Sequence, residues 1–355
     1  MNATADCLSK RSMNPGLHSR TSCHLTLLVN LCVLLSAISL TRAADKVETK
    51  FSLYKSIDHA ESWFEAGRGL PAEARINALG LAGRAVLAGT DRGIFVSHDA
   101  GAKWQPPLKS GGTESRVLCF ATHAGGIFAG TQKHGVLFSD NEGATWKAVN
   151  NGLTDSYVRS LLMVGTTLYA GTDRGGIFIS ENVGAMWRHQ RIGLPNSSQV
   201  FDLASLGGTV FAGLYSNGLY RWDAAGGLWT KTGEVAPLEL AVTGEALVVG
   251  HNPGGVFVSE DRGHTWRDGN FGLPVNAPIW TLAADDERIL VGTSGTVGLV
   301  PDEIGLFASK DRGESWTRSD AGLPQSSAAV SFVLAKEFIL AGIISRKPKR
   351  DLPSR

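Results

Sequence analysis

The sequence predicts an all-β chain folded as a seven-bladed β-propeller of four-stranded antiparallel blades. Three observations carry this. Seven tryptophans, Trp63, Trp104, Trp146, Trp187, Trp229, Trp266 and Trp316, recur at intervals of 41, 42, 41, 42, 37 and 50 residues, and a mean near 42 is the length of one four-stranded blade (~40–45 residues). A turn pattern, Ser-x-Asp-x-Gly-x-Thr/Ser-Trp, precedes most of them. The repeat is out of phase with the chain ends, so that its first copy supplies only the outer half of a blade and its last only the inner half.

Composition permits this reading and closes others. Of 355 residues, 43% are hydrophobic and 43 are Gly, which is globular material and rich in tight turns. The formal net charge of +1 provides no whole-chain electrostatic footprint for nucleic acid.

Taking the elements in order, residues 1–43 read as a secretory signal peptide: Lys10, Arg11 and Arg20, an apolar run from Leu25 to Leu40, and small residues that set cleavage near Ala43 or Ala44. Met13 is an alternative start that gives a shorter basic lead. The mature protein is therefore expected to be secreted or periplasmic, with membrane contact only if the segment is kept as an anchor. Cys7, Cys23 and Cys32 leave with the signal, so Cys119 has no internal disulfide partner. The propeller is assigned to residues 44–345 and a basic tail to residues 346–355.

Within each repeat four short β-rich stretches, called a to d from the inside out, are separated by Gly, Asn, Asp and Pro turns. Strand a is an apolar segment such as Val158 to Val164. Strand b ends in Ala-Gly-Thr or Val-Gly, as at Ala88-Gly89-Thr90 and Val291-Gly292-Thr293. Strand c has the form of Gly93-Ile94-Phe95-Val96-Ser97, and the tryptophan turn leads into strand d. The chain opens with a c–d pair (Phe51 to Ala66) and closes with an a–b pair (Ala329 to Ala335 and Phe338 to Ile344). A closed ring has no exposed blade edge, so the two ends are expected to complete one blade.

The turn copies include Ser97, Asp99, Gly101, Trp104; Asn141, Gly143, Trp146; Asn182, Gly184, Trp187; Asp261, Gly263, Trp266; and Asp311, Gly313, Trp316. The first copy, Ser56-Asp58-Ser62-Trp63, has Ala60 in place of Gly, and the copy at Trp229 keeps only Gly226 and the Trp. These residues are assigned structural roles: Asp, Asn and Ser accept turn N–H groups, Gly takes φ > 0, and Trp covers the hairpin. Loss of Trp229 in the degenerate copy is expected to cost less stability than loss of Trp146. Ser97-His98-Asp99 imitates a hydrolase triad, but consecutive strand residues face opposite sides and cannot build a relay. No HExxH, GxSxG, Walker, GxGxxG or CxxC motif occurs, so no catalytic residue, metal site or cofactor is assigned.

This turn resembles the Asp-box, or bacterial neuraminidase repeat, of sialidases, sortilin-type ectodomains and many secreted propellers. The seven-fold count and the Ala-Gly-Thr-x-x-Gly-Ile-Phe-x-Ser wording are most similar to photosystem II stability/assembly-factor-type proteins. The resemblance covers about residues 51–345 and implies a fold rather than an activity.

Candidate binding residues lie on the face shared by the d–a and b–c loops. The b–c loops carry Asp91-Arg92, Lys133-His134, Asp173-Arg174, Tyr215-Asn217 and His251-Asn252, and the longest, Ser294 to Gly305, carries Asp302 and Glu303. Aligning strand a on the Gly of strand b places Arg75, Arg116, Tyr157, Gln199, Ala236, Pro278 and Ala328 at one level near the channel mouth. Two residues further on stand Asn77, Leu118, Arg159, Phe201, Leu238, Trp280 and Val330, and two further a core ring of Leu or Phe. Arg75, Arg116 and Arg159 are expected to receive an anionic group, because guanidinium matches carboxylate and sulfate. The structural alternative pairs them with carboxylates of the chain, Asp202 and Glu239 among them. Two functions follow. One is a non-enzymatic binding or assembly scaffold, monomeric, with a protein or acidic glycan as partner. The other is a sialidase-like glycoside hydrolase, favoured by Arg75-Ile76-Asn77 and Tyr157, but lacking the Pro of the Arg-Ile-Pro element and any assignable acid/base.

Overall fold

Every repeat begins with an apolar strand that can pack on both faces, and this makes it the inner strand of a blade. The computed structural model describes residues 48–105, 113–235, 237–251, 254–293 and 304–347. Strands a run Ile76–Ala82, Val117–His123, Val158–Val164, Val200–Leu206, Pro237–Thr243, Ile279–Ala284 and Ser327–Leu334, and they define blades 1 to 7. Each pairs antiparallel with its strand b, and strand b with strand c. Consecutive strands a touch around the whole ring, including Ser327–Leu334 against Ile76–Ala82. The molecule is thus an all-β, seven-bladed propeller with no helix among the described residues. In blade 1 the fourth strand is a single bridge, Val96 to Gln105.

Blade 7 is built from both ends of the chain, as the phase of the repeat predicts. Its order is Ser327–Leu334, Ile339–Lys347, Glu48–Ser56, Phe64–Glu65. The two central strands pair over nine residues, from Glu48 opposite Lys347 to Ser56 opposite Ile339.

The Gly near the end of each strand b interlocks the blades. A Cβ on Gly89, Gly130, Gly171, Gly213, Gly250, Gly292 or Gly342 would meet a side chain of the next blade (Val117, Val158, Val200, Pro237, Ile279, Ala329 and Ile76 in turn) at 2.5–3.1 Å. The absent side chain is the socket for that neighbour, and the series closes on itself around the ring. Gly171→Ala is therefore expected to destabilise the protein by ~1–3 kcal/mol through overpacking. Urea unfolding checks this, and Val200→Ala in the same chain is expected to recover part of the loss.

The tryptophan turns form one repeated hydrogen-bond circuit. Ser97 Oγ donates to Asp99 Oδ1 at 2.7 Å and accepts from Gly101 N at 2.9 Å, while Asp99 Oδ1 accepts from Lys103 N at 2.8 Å. The circuit recurs around Asn141, Asn182, Asp261 and Asp311. His98 is exposed and takes no part in the Ser97–Asp99 bond. In the first copy Ala60 adopts φ 72°, the left-handed conformation that Gly holds elsewhere, and its N–H still reaches Ser56 Oγ at 2.9 Å. The donated bonds hold Asp58 down to about pKa 2, led by the Ser62 hydroxyl, and Asp261 well below the usual carboxylate range, led by the Thr265 hydroxyl.

The tryptophans also tie blades together. The indole N–H of Trp63, Trp104, Trp187 and Trp316 donates to the carbonyl just after strand d of the preceding blade (Ser319, Ala66, Val149 and Gly269) at 2.6–3.1 Å. A second repeated element serves the same seam. The residue before Gly69, Gly152, Gly193, Gly272 and Gly322 offers its carbonyl to the backbone N–H of the next blade's tryptophan, as in Trp229 N to Ile192 O at 2.8 Å.

The copy at Trp229 departs from expectation. Trp229 is 1% exposed, against 6% for Trp146, and heads the largest fully buried side chains. Without the Ser–Asp circuit the chain forms a longer hairpin, Gly218–Asp223 with Leu228–Gly233, which sets Trp222 opposite Trp229 with rings 5.4 Å apart. A direct strand pair has replaced the turn, and the tryptophan it carries is at least as well packed.

Candidate functional site

All seven strands a share a feature that periodicity alone does not reveal. The register slips by one residue at Asn77, Leu118, Arg159, Phe201, Leu238, Trp280 and Val330. A bulged residue leaves the ladder and its side chain is re-aimed. The ring of residues aligned in sequence two positions beyond the mouth is this bulge ring, and each of its members is partly exposed. An up-and-down sheet puts b–c and d–a connections at one end of the blade, so the starts of strands a open on that end.

Two arcs of unlike chemistry face each other across this ring. On blades 1 and 2, Arg116 Nη2 donates to Asn77 Oδ1 at 3.1 Å. Arg75 and Arg116 are partly buried, and the Nε of each is a buried donor without a hydrogen-bond partner. Neither forms an ion pair among the described residues. Asp91 accepts the Arg75 backbone N–H at 3.0 Å rather than its guanidinium. Burial, then the neighbouring Arg116 charge, push the Arg75 guanidinium below its ordinary value, with Asp91 opposing. Guanidinium stays charged in proteins, so Arg75 is a buried charge held beside the like charge of Arg116. On blades 4 to 7 the bulge ring is apolar: Phe201, Leu238, Trp280 and Val330.

Arg159 is not part of the free cationic arc. Its Nε donates to Asp173 Oδ1 at 2.7 Å and its Nη2 reaches the same oxygen. Its guanidinium lies 4.7 Å from the ring centres of both Tyr157 and Phe201. Asp173, only 9% exposed, also accepts from Gln199 and pairs with Arg174 Nε at 3.6 Å. Here the structural alternative holds, through Asp173 rather than Asp202 or Glu239. Arg92 pairs with Glu73 at 3.2 Å on an exposed surface. Asp302, Glu303 and Ala236 lie outside the described residues, as does the signal segment.

Sequence reasoning placed Asp173 on a b–c loop without assigning it to Arg159, and it missed the bulges. Asp173 had a signal, an acidic residue fourteen positions after Arg159 and just past the end of the paired strand Thr167–Thr172. The bulge had none, since it is a property of pairing. No group of three or more His, Cys, Asp or Glu able to hold a metal occurs among the described residues.

No known family profile matches the chain, and no curated protein matches it. Solved structures do. The extracellular domain of a putative one-component system from B. thetaiotaomicron is similar at a TM-score of 0.61 and 17% identity, over 80% of this chain and 40% of that one. This chain therefore spans well under half of that protein. YCF48 from Cyanidioschyzon merolae is similar at 0.58 and 14% identity, over 78% and 96%, and a YCF48 structure bound to a D1 peptide at 0.58 and 15%, over 77% and 95%. A GH74 xyloglucanase from Xanthomonas campestris is similar at 0.55 and 14% identity, over 77% and 46%. Likeness at this identity establishes the fold, a propeller that other chains use both for binding and for hydrolysis.

Proposed function

We propose that the chain is a secreted or periplasmic propeller of Asp-box type that works without catalysis, as a monomeric binding scaffold for a protein or acidic glycan. Its channel mouth takes an anionic group of that partner. The observation that carries this is the Arg75–Arg116 pair, two partly buried guanidinium groups without a carboxylate partner among the described residues. Nothing in the fold requires Arg there, since Pro278 and Ala328 fill the same level in other blades. Clustered cations cost free energy, which an anion at the mouth would offset. A YCF48 propeller bound to a D1 peptide supports a protein partner.

The test uses arrays of sulfated and sialylated glycans and of acidic peptides, read at low and high salt. Binding by the wild type is expected to weaken with salt. Arg75→Ala with Arg116→Ala is expected to lose at least about tenfold, as charged hydrogen bonds worth ~1.5–3 kcal/mol disappear. Arg92→Ala with Arg174→Ala, on exposed loops, is expected to bind as the wild type does. Equal binding by the first double variant, with its circular dichroism unchanged, sinks the assignment.

The GH74 neighbours favour a second reading, a glycoside hydrolase acting at the same mouth. Fluorogenic sialosides and neutral glycosides decide it. Turnover that disappears in Tyr157→Phe would replace the scaffold reading.

A further inference from the structure

Below the mouth, the residue after each bulge forms another ring: Ala78, Cys119, Ser160, Asp202, Glu239, Thr281 and Ser331. Five are small or uncharged. The two carboxylic acids stand side by side, on the adjoining strands a of blades 4 and 5. Asp202 Oδ2 accepts the Leu240 N–H at 2.7 Å and Oδ1 accepts its own neighbour Leu203 N–H at 2.8 Å. The first of these bonds crosses from blade to blade. It satisfies a donor on the inner edge of strand a, where no further strand can pair.

We propose that Asp202 and Glu239 form a proton-holding latch between blades 4 and 5. The latch is closed while at least one of the two carboxyls keeps its proton and is loosened when both ionise. The fold requires neither acid, as Ser, Thr and Ala occupy the other blades. Both side chains keep a small exposure along the channel while protein encloses them, so neither charge is well hydrated, and two adjacent carboxylates repel.

Among the described residues, the strands packed against the pair bring no unpaired lysine or arginine. Strand a of blade 3 brings Arg159, which Asp173 already holds. Strand b of blade 3 brings Tyr169 and strand b of blade 5 brings His251; strand b of blade 4 (Thr209–Leu214) and strand a of blade 6 bring no ionisable group. Tyr215 follows the former and Asp285 the latter. From blade 2, Cys119 is close enough for the Asp202 charge to add to the burial that raises its thiol. Burial lifts Asp202 to about 7 against the pull of the Leu240 and Leu203 amides. Burial and then the Asp202 charge lift Glu239 well above the carboxylate range.

The direction of the effect follows from proton binding. In the unfolded chain both groups release their protons near pH 4, whereas the folded chain keeps them to higher pH. Between these limits the folded state binds more protons, so stability falls as pH rises and levels off once both are ionised. Scanning calorimetry of the wild type and of Asp202→Asn with Glu239→Gln, from pH 5 to pH 8.5, tests this. The wild-type Tm is expected to drop by about 5 °C or more relative to the double variant across that range. Carboxyl ¹³C titration of the unsubstituted protein reads the same groups without any substitution. It is expected to show one carboxyl titrating near neutrality and a second shifted well above the ordinary carboxylate range. Parallel Tm profiles, or carboxyl titrations that all finish below about pH 5, overturn the latch.

Discussion

A chain ending at Pro324 is expected to lose cooperative folding. The truncation removes Ser327–Leu334 and Ile339–Lys347, the inner half of blade 7. What remains of that blade is the pair Glu48–Ser56 and Phe64–Glu65, joined over two register positions, and an isolated hairpin is marginal in water. The damage also reaches both neighbours. Leu340, fully buried, packs with Leu53, Ile76, Val86 and Trp104 on the side of blade 1. Ala329, Ala341 and Ile343 pack with Leu290 and Leu306 on the side of blade 6. Two interfaces open at once, and the socket at Gly342 that receives Ile76 disappears. Calorimetry should show a broad transition at much lower temperature, with dye-accessible apolar surface. A single sharp transition near the full-length Tm would refute closure by the two ends as the source of cooperativity.

The ring was legible in the sequence because each blade repeats its own instructions. Trp spacing, the Ser–Asp turn and the Ala-Gly-Thr strand end are local signals, and the phase mismatch at the termini located blade 7. The mouth was legible only as a list of aligned residues. Arg75 and Arg116 stand at one aligned level and Arg159 two residues further on, and Asp173 neutralises only the last. Which carboxylate reaches which guanidinium is set by how the strands pair, and the register shift at Arg159 belongs to that pairing. Asp202 and Glu239 were visible as possible counterions for the arginines. Their adjacent places on strands a, and the bond from Leu240 to Asp202, arise because neighbouring strands a run side by side in the closed ring. The Gly-Leu elements at Gly69, Gly152, Gly193, Gly272 and Gly322 repeat in the sequence too, but their partner carbonyls and amides lie one blade away.

Trp229→Ala is expected to destabilise the protein at least as much as Trp146→Ala, by ~3–5 kcal/mol. The sequence argues the opposite, since the copy around Trp229 has lost its Ser and Asp. Burial decides. Trp229 is 1% exposed and lies in a cluster with Tyr169, Ile177, Val210, Leu214 and Tyr220, which joins blades 3 and 4. Trp222 adds a tilted ring 5.4 Å away, a geometry in which aromatic pairs gain beyond area alone. Its indole N–H is buried without a partner, a cost that the wild type already bears and that Trp229→Phe would relieve. Trp229→Phe is therefore expected to lose much less than Trp229→Ala. The backbone bond from Trp229 N to Ile192 O survives both substitutions, so the difference between them isolates the side chain. Urea unfolding of Trp229→Ala, Trp229→Phe and Trp146→Ala measures all three. A Trp229→Ala loss below 1 kcal/mol would mean that the cluster repacks around the cavity, and that the Ser–Asp circuit, not the tryptophan, holds each blade to the next.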